Sequence, residues 1–118
     1  MKVNFFSGNK AICDAAFDGC SGSRTDVNWR RFTIIDDESK VAYEEESPEA
    51  DVTISFLNPF VFKKMHLEKL GRAYNIHPST PRHPGSDPQH WTIYDGTFVA
   101  GATLHMMSQN VDAGQILD

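Results

Sequence analysis

Asn75, His77 and Asp112 are the residues whose types suit a single reaction. In Asn75-Ile76-His77-Pro78-Ser79 an amide and an imidazole stand two residues apart where a strand reads as ending. Alternation along a strand sends both to one side. Downstream, Val111-Asp112-Ala113-Gly114-Gln115 sets a carboxylate in a glycine-containing turn. An Asn, a His and an Asp in one cleft suit acyl transfer: donors meet a developing oxyanion, and the carboxylate orients the His or takes a proton. Each residue also has a plainer explanation. His77 fits a hydrogen-bonded structural histidine, Asn75 a tie for the proline loop, and Asp112 a turn former ahead of Gly114.

The elements that must hold these groups alternate. Lys2 to Phe6 is an apolar strand breaking at Ser7-Gly8-Asn9, and Lys10 to Phe17 has helical spacing up to Gly19. After the Ser21-Gly22-Ser23 loop, Arg31 to Ile35 reads as a strand, and Val41-Ala42-Tyr43 is expected to pair back on it as a hairpin. Asp51 to Phe56 is a strand by β-propensity, Phe60 to Leu70 a helix ending at Gly71, and Ala73 to Ile76 a short strand. Prolines 78, 81 and 84 stiffen the next loop. Ser86 or Asp87 is placed to cap a helix that has Pro88 in its first turn and stops at Gly96. Gly101 to Met106 reads as a strand, and Gln115 to Leu117 as the start of another. Strands alternating with helices imply an α/β fold whose sheet is buried by helices on both sides. Ligands of such folds bind beyond the carboxyl ends of strands. Here those are Ser7 to Lys10, Asn58 to Phe60 and Asn75 to Ser79.

At 118 residues the chain is one domain's worth of material. Apolar residues at 40% and charged residues at 23% place it among ordinary globular proteins, and no apolar run reaches membrane-spanning length. MKVNFF reads as a first strand with no signal peptide ahead of it, so the cytoplasm is expected. The net charge of −5 is concentrated: Asp36 to Asp51 holds eight acids and Lys40, a solvated face or loop that lacks the spacing of a calcium site. Only Arg30-Arg31 resembles a basic cluster, which argues against nucleic acid as a partner. Cys13 and Cys20 read as reduced thiols, one packed on a helix and one near a loop. His77, His83 and His90 lie six and seven apart without an HxxxH pair, so a zinc hydrolase is disfavoured.

NIHPS, Pro84-Gly85, Trp91, GATLHMM (Gly101 to Met107) and VDAGQIL (Val111 to Leu117) together resemble, in order and spacing, the folate-dependent formyltransferases. That family acts on glycinamide ribonucleotide, methionyl-tRNA and amino sugars. The resemblance is dense from Asp51 to Asp118 and weak before that. It implies a doubly wound, mostly parallel, Rossmann-like sheet in shortened form. It also implies formyl transfer from 10-formyltetrahydrofolate to a primary amine, without a metal. Asn75 would bind the formyl oxygen, His77 would stabilise the oxyanion and pass a proton, and Asp112 would orient His77 and take the amine proton. The pterin would lie among Phe60, Val61, Phe62, Asn110, Val111 and Ala113, although a phenylalanine stripe also suits a core. The acceptor would meet Ser7, Gly8, Asn9, Pro78 and Ser79. His105 is either a site-supporting residue or a strand histidine satisfied by its neighbours.

The chain departs from the family in three places. The proline loop is one residue shorter than the commonest form, and the Ser7-Gly8-Asn9 turn lacks the extra glycine and serine of a phosphate-binding turn. Family members also continue past VDAGQI into a further strand and a long helix. The expectation is a single domain over residues 1–118, lacking that element and associating as a homodimer to cover the exposed edge. The acceptor is expected to be a small phosphorylated amine, either glycinamide ribonucleotide or a nucleotide-linked amino sugar. The alternative is a degenerate folate-binding module without efficient turnover.

Overall fold

The computed structural model describes residues 1–46, 48–110 and 112–118. Its elements are β1 (Lys2–Ser7), α1 (Ala11–Ser23), β2 (Asn28–Thr33), α2 (Asp37–Glu46), β3 (Val52–Phe56), α3 (Lys64–Leu67), β4 (Arg72–His77), α4 (Pro88–Tyr94) and β5 (Thr103–Met106). The sheet order is β2-β1-β3-β4-β5; β2, β1, β3 and β4 run parallel, and β5 is antiparallel to β4. The chain steps from β1 to one side and then crosses to the other, so the switch point lies between β1 and β3. That is where a crevice opens in such sheets. The expected doubly wound, mostly parallel α/β architecture is therefore the observed one.

Strand alternation divides the core. Phe5 meets Phe17 of α1 on one face, their ring centroids 5.5 Å apart. Phe6, fully buried on the other, stacks on Phe32 at 4.8 Å and meets Tyr43 of α2 and Phe62 edge-on at 4.8 and 5.0 Å. No helix among the described residues is long and apolar enough to cross a membrane.

Several local expectations are corrected. Val41, Ala42 and Tyr43 belong to α2, not to a hairpin. Asp36 starts that helix: its carboxylate accepts from the Ser39 N–H at 2.8 Å, while the Ser39 hydroxyl returns to Asp36. A crossover between parallel β-strands also favours a helix, and α2 inserts Tyr43 over Phe6 and Phe32. The segment expected as a helix from Phe60 keeps only Lys64–Leu67. Phe60 and Phe62 instead alternate inward with Val61 outward, so a period of two fills the core where a helix would turn one ring away. α1 runs through Gly19 to Ser23, and both cysteines lie on it, Cys13 buried and Cys20 half-buried. Asp87 precedes α4 in a left-handed conformation, φ 53°, and its side chain makes no cap. Near the carboxyl terminus residues 115–118 run antiparallel along β5 through the His105–Ile116 bridge and backbone bonds such as Met106 N–H to the Gln115 carbonyl at 2.8 Å and Leu117 N–H to that of Leu104 at 2.8 Å, short of a full strand. Arg30 and Arg31 pair with Glu46 and Asp14, which removes the suggestion of a basic cluster.

Candidate functional site

A cavity of about 630 Å³ opens beyond the carboxyl ends of the parallel strands. Gly8 to Lys10 after β1, Leu57 to Phe62 after β3 and Asn75 to Pro78 at the end of β4 line it, with Gly85 to Gln89, Ser108 to Asn110 and Asp112 across from them. The non-glycine residues described with positive φ are Leu57, Asp87 and Asp112, and all line this cavity. Backbone held in that region costs energy and concentrates at functional sites.

Asp112 is the hub. Its carboxylate, 9% exposed, has each oxygen engaged by two groups. Oδ1 accepts from Asn75 Nδ2 at 3.0 Å and faces His105 Nε2 at 3.2 Å. Oδ2 accepts from the Gly85 N–H at 2.7 Å and faces His77 Nδ1 at 3.3 Å. Local structure explains each approach. Asn75 and His77 share a face of β4, and Asn75 lies opposite His105 in the β4–β5 register. Asp112 reaches them from a left-handed turn, φ 51°, closed by Gly114, where a Cβ would collide with the Met106 carbonyl. A buried carboxylate needs such partners, because an unpaired buried charge is costly.

Hydrogen-bond accounting places the protons. His77 Nε2 sits 2.7 Å from the His83 carbonyl oxygen, and His105 Nδ1 sits 2.9 Å from that of Met106. A carbonyl only accepts, so those nitrogens carry hydrogens, and the opposite nitrogens, His77 Nδ1 and His105 Nε2, face Asp112. Asn75 directs its amide hydrogens at Asp112 Oδ1 and at His105 Nε2, 3.2 Å away. A formyl oxygen would have to replace one of these two contacts to be held by Asn75. The cluster offers two imidazoles, an amide and a carboxylate at one wall of a cavity, a set suited to proton transfer beside an acyl carbon.

The structure brings Asn75, His77 and Asp112 together and places Gly8, Asn9, Phe60, Val61, Phe62, Pro78 and Asn110 on the cavity wall. Phe60 and Phe62 are at the same time members of the aromatic core. Three expected contacts are absent from the wall. Ser7 is fully buried under α1, where its hydroxyl accepts from Arg31 Nη2 at 3.3 Å. The Ser79 carbonyl accepts from Thr103 Oγ1 at 2.6 Å, and Ala113 does not line the cavity. Val111 lies outside the described residues.

Sequence reasoning passed over Ser55. It pairs with Asn75 in the sheet, is 4% exposed and lines the cavity. Its alternation with Thr53 in DVTISF was the available signal. His105 proves to touch both Asn75 and Asp112, which favours the supporting role over the isolated strand histidine. Among the described residues, no group of three or more His, Cys, Asp or Glu is arranged to hold a metal ion.

Comparison with known proteins gives the same region a lineage. The bifunctional polymyxin resistance protein ArnA of Wigglesworthia glossinidia brevipalpis is 33% identical over 70 residues, covering 57% of this chain and 11% of that protein. A sugar N-formyltransferase from Shewanella sp. FDAARGOS_354 superposes with a TM-score of 0.77 at 19% identity, over 100% of this chain and 55% of that one. HypX from Aquifex aeolicus, solved with tetrahydrofolic acid, superposes with a TM-score of 0.78 at 20% identity, over 100% of this chain and 20% of HypX. The chain thus spans little more than half of the first structure and much less of the other two proteins. The formyl transferase family model matches residues 9–118, so this chain, with its Asn75–His77–Asp112 cluster beyond the strand ends, belongs to the formyl transferase family.

Proposed function

We propose that the chain transfers a formyl group from 10-formyltetrahydrofolate to the primary amine of a small, phosphorylated acceptor, a nucleotide-linked amino sugar or glycinamide ribonucleotide. The observation that carries this reading is the convergence of Asn75 and His77 on the two oxygens of Asp112 at the cavity wall. The tetrahydrofolate held by HypX supports the donor, and the sugar N-formyltransferase likeness supports an amino-sugar acceptor. The cavity volume lies in the range of small-molecule sites, about 300–1,000 Å³. Residues 1–118 are proposed to act as one domain that associates as a homodimer.

In the proposed reaction the neutral amine attacks the formyl carbon, and the carbonyl π pair moves onto oxygen. The Asn75 amide, released from Asp112 or His105, and the His77 Nε2–H, released from the His83 carbonyl, hold that oxyanion. Asp112 takes the proton from the attacking nitrogen. Collapse of the oxyanion breaks the bond to the folate nitrogen, which leaves with the His77 Nε2 proton while Asp112 passes the amine proton to His77 Nδ1, 3.3 Å away. Phe60, Val61, Phe62, Asn110, Val111 and Ala113 are proposed to surround the pterin, and Ser7, Gly8, Asn9, Pro78 and Ser79 the acceptor. For Ser7, Ser79 and Ala113 this requires backbone atoms or a shift on binding.

The test is incubation with 10-formyltetrahydrofolate and a panel of amines, following tetrahydrofolate release. One acceptor should exceed background hydrolysis, and His77→Ala should slow it by about 10²–10³-fold, as loss of a transition-state donor does. If no acceptor exceeds background and His77→Ala changes nothing, the enzyme reading is lost. Retained folate binding would then favour a binding module, in which Asn75 stays committed to Asp112 and His105.

A further inference from the structure

We propose that His83 and Asp95, which line no part of the cavity, form a positioning pair that fixes the imidazole of His77. His83 sits in the proline loop between Pro81 and Pro84 and is 7% exposed. Its ring Nε2 lies 2.7 Å from Asp95 Oδ2, and its Nδ1 lies 3.4 Å from Thr92 Oγ1. Asp95 closes α4, with its N–H bonded to the Trp91 carbonyl at 2.9 Å, so the pair ties the loop to a helix end. The main-chain carbonyl of the same His83 accepts from His77 Nε2 at 2.7 Å. One residue therefore contacts the helix through its side chain and the active imidazole through its backbone.

The consequence is a fixed proton position. Because the His83 carbonyl can only accept, it holds the His77 hydrogen on Nε2 and turns Nδ1 toward Asp112 Oδ2 at 3.3 Å. The proline-bounded loop is also held by the His83 N–H on the Thr80 carbonyl at 3.2 Å and the Gly85 N–H on Asp112 at 2.7 Å, and the His83 side chain adds its tie to α4. Removing Asp95 leaves a buried imidazole without its carboxylate, frees the loop and lets the His77 ring rotate. Small misplacement of a reacting group costs up to about 10²-fold in rate.

The kinetic part rests on the formyl-transfer reading, so the experiment has two readouts on the full chain. In ¹⁵N-labelled protein, His77 is assigned by its loss in His77→Ala, and its Nε2–H signal is compared in wild type, Asp95→Ala and Asp95→Asn. Tetrahydrofolate release gives kcat and KM for the same proteins. The expected result is loss or tautomer change of the His77 signal in Asp95→Ala, with kcat down about 10- to 100-fold and KM for the folate donor within twofold. Asp95→Asn, which keeps an acceptor for His83, should recover most of both. An unchanged His77 signal, or an unchanged kcat, in folded Asp95→Ala overturns the proposal. If Asp95→Ala does not fold, His83→Gln is judged by the same criteria. If wild type releases no tetrahydrofolate with any acceptor, the formyl-transfer reading fails, and the ring signal alone decides the positioning role.

Discussion

Tyr43 shows how a residue chosen for packing acquires a pH signature. It is wedged against Phe6, Phe32, Phe60 and Phe62, and burial, with a smaller contribution from Glu44, pushes its phenol from 10.0 up to about 12. The folded value is raised, so the unfolded chain releases this proton first. The stability this confers is complete below pH 10.0 and is lost as pH rises toward about 12. Tyr43→Phe should flatten the fall in stability across that window in denaturant titrations, and an unchanged slope would mean that the phenol is not the cause. At the same scale, Asn75 and His77 were legible because the period of a strand places i and i+2 together. Asp112 entered through its glycine turn and the family resemblance. His83 and Asp95 were not legible as partners, because they stand twelve positions apart across loop and helix and only the folded loop brings their side chains together.

The elements deliver these groups through turns more than through regular structure. Gly114 is the narrowest point, since any Cβ there meets the Met106 carbonyl. Gly114→Ala should displace the Asp112 turn, lower stability by about 1–3 kcal/mol as strained backbone substitutions do, and reduce folate affinity. Thermal unfolding and folate titration check both effects, and a variant matching wild type in each would refute this account of the turn. In α3, the Lys63 N–H donates to His66 Nδ1 at 3.0 Å, a bond that needs a free lone pair. Burial lowers the His66 value below 6.5, Glu44 opposes this, and Lys63, Lys40 and Lys69 add to it. With the folded value lowered, its contribution is complete above pH 6.5 and lost as pH falls below it. Wild type should therefore lose more Tm on acidification than His66→Gln, and equal losses would contradict the assignment. Strands were read more reliably than helices for a physical reason. β1 is a buried run, and β3 and β4 are β-rich runs with clear breaks, whereas the acid-rich α2 carries one buried residue, Tyr43, too few to announce a helical period.

At the scale of the molecule, sheet order and site are linked. Placing β2 and β3 on opposite sides of β1 opens the crevice at their ends, and β4 with antiparallel β5 supplies Asn75, His77 and His105 to its wall. Fold class was legible because alternation of strands and helices admits few layered solutions. The covering of the face that carries Phe6 was not, because it depends on Phe60 and Phe62 abandoning the helix expected of them. One carboxylate, Asp112, draws together Asn75, His77, His105 and the Gly85 N–H. The most direct test is therefore tetrahydrofolate release by Asp112→Asn beside wild type, under saturating donor and the best acceptor. Asn preserves shape and tolerates the left-handed turn, yet cannot take the amine proton. The account predicts a folded variant that binds folate and has kcat lowered by at least about 10²-fold, as loss of a general base does. A variant within threefold of wild type would contradict it.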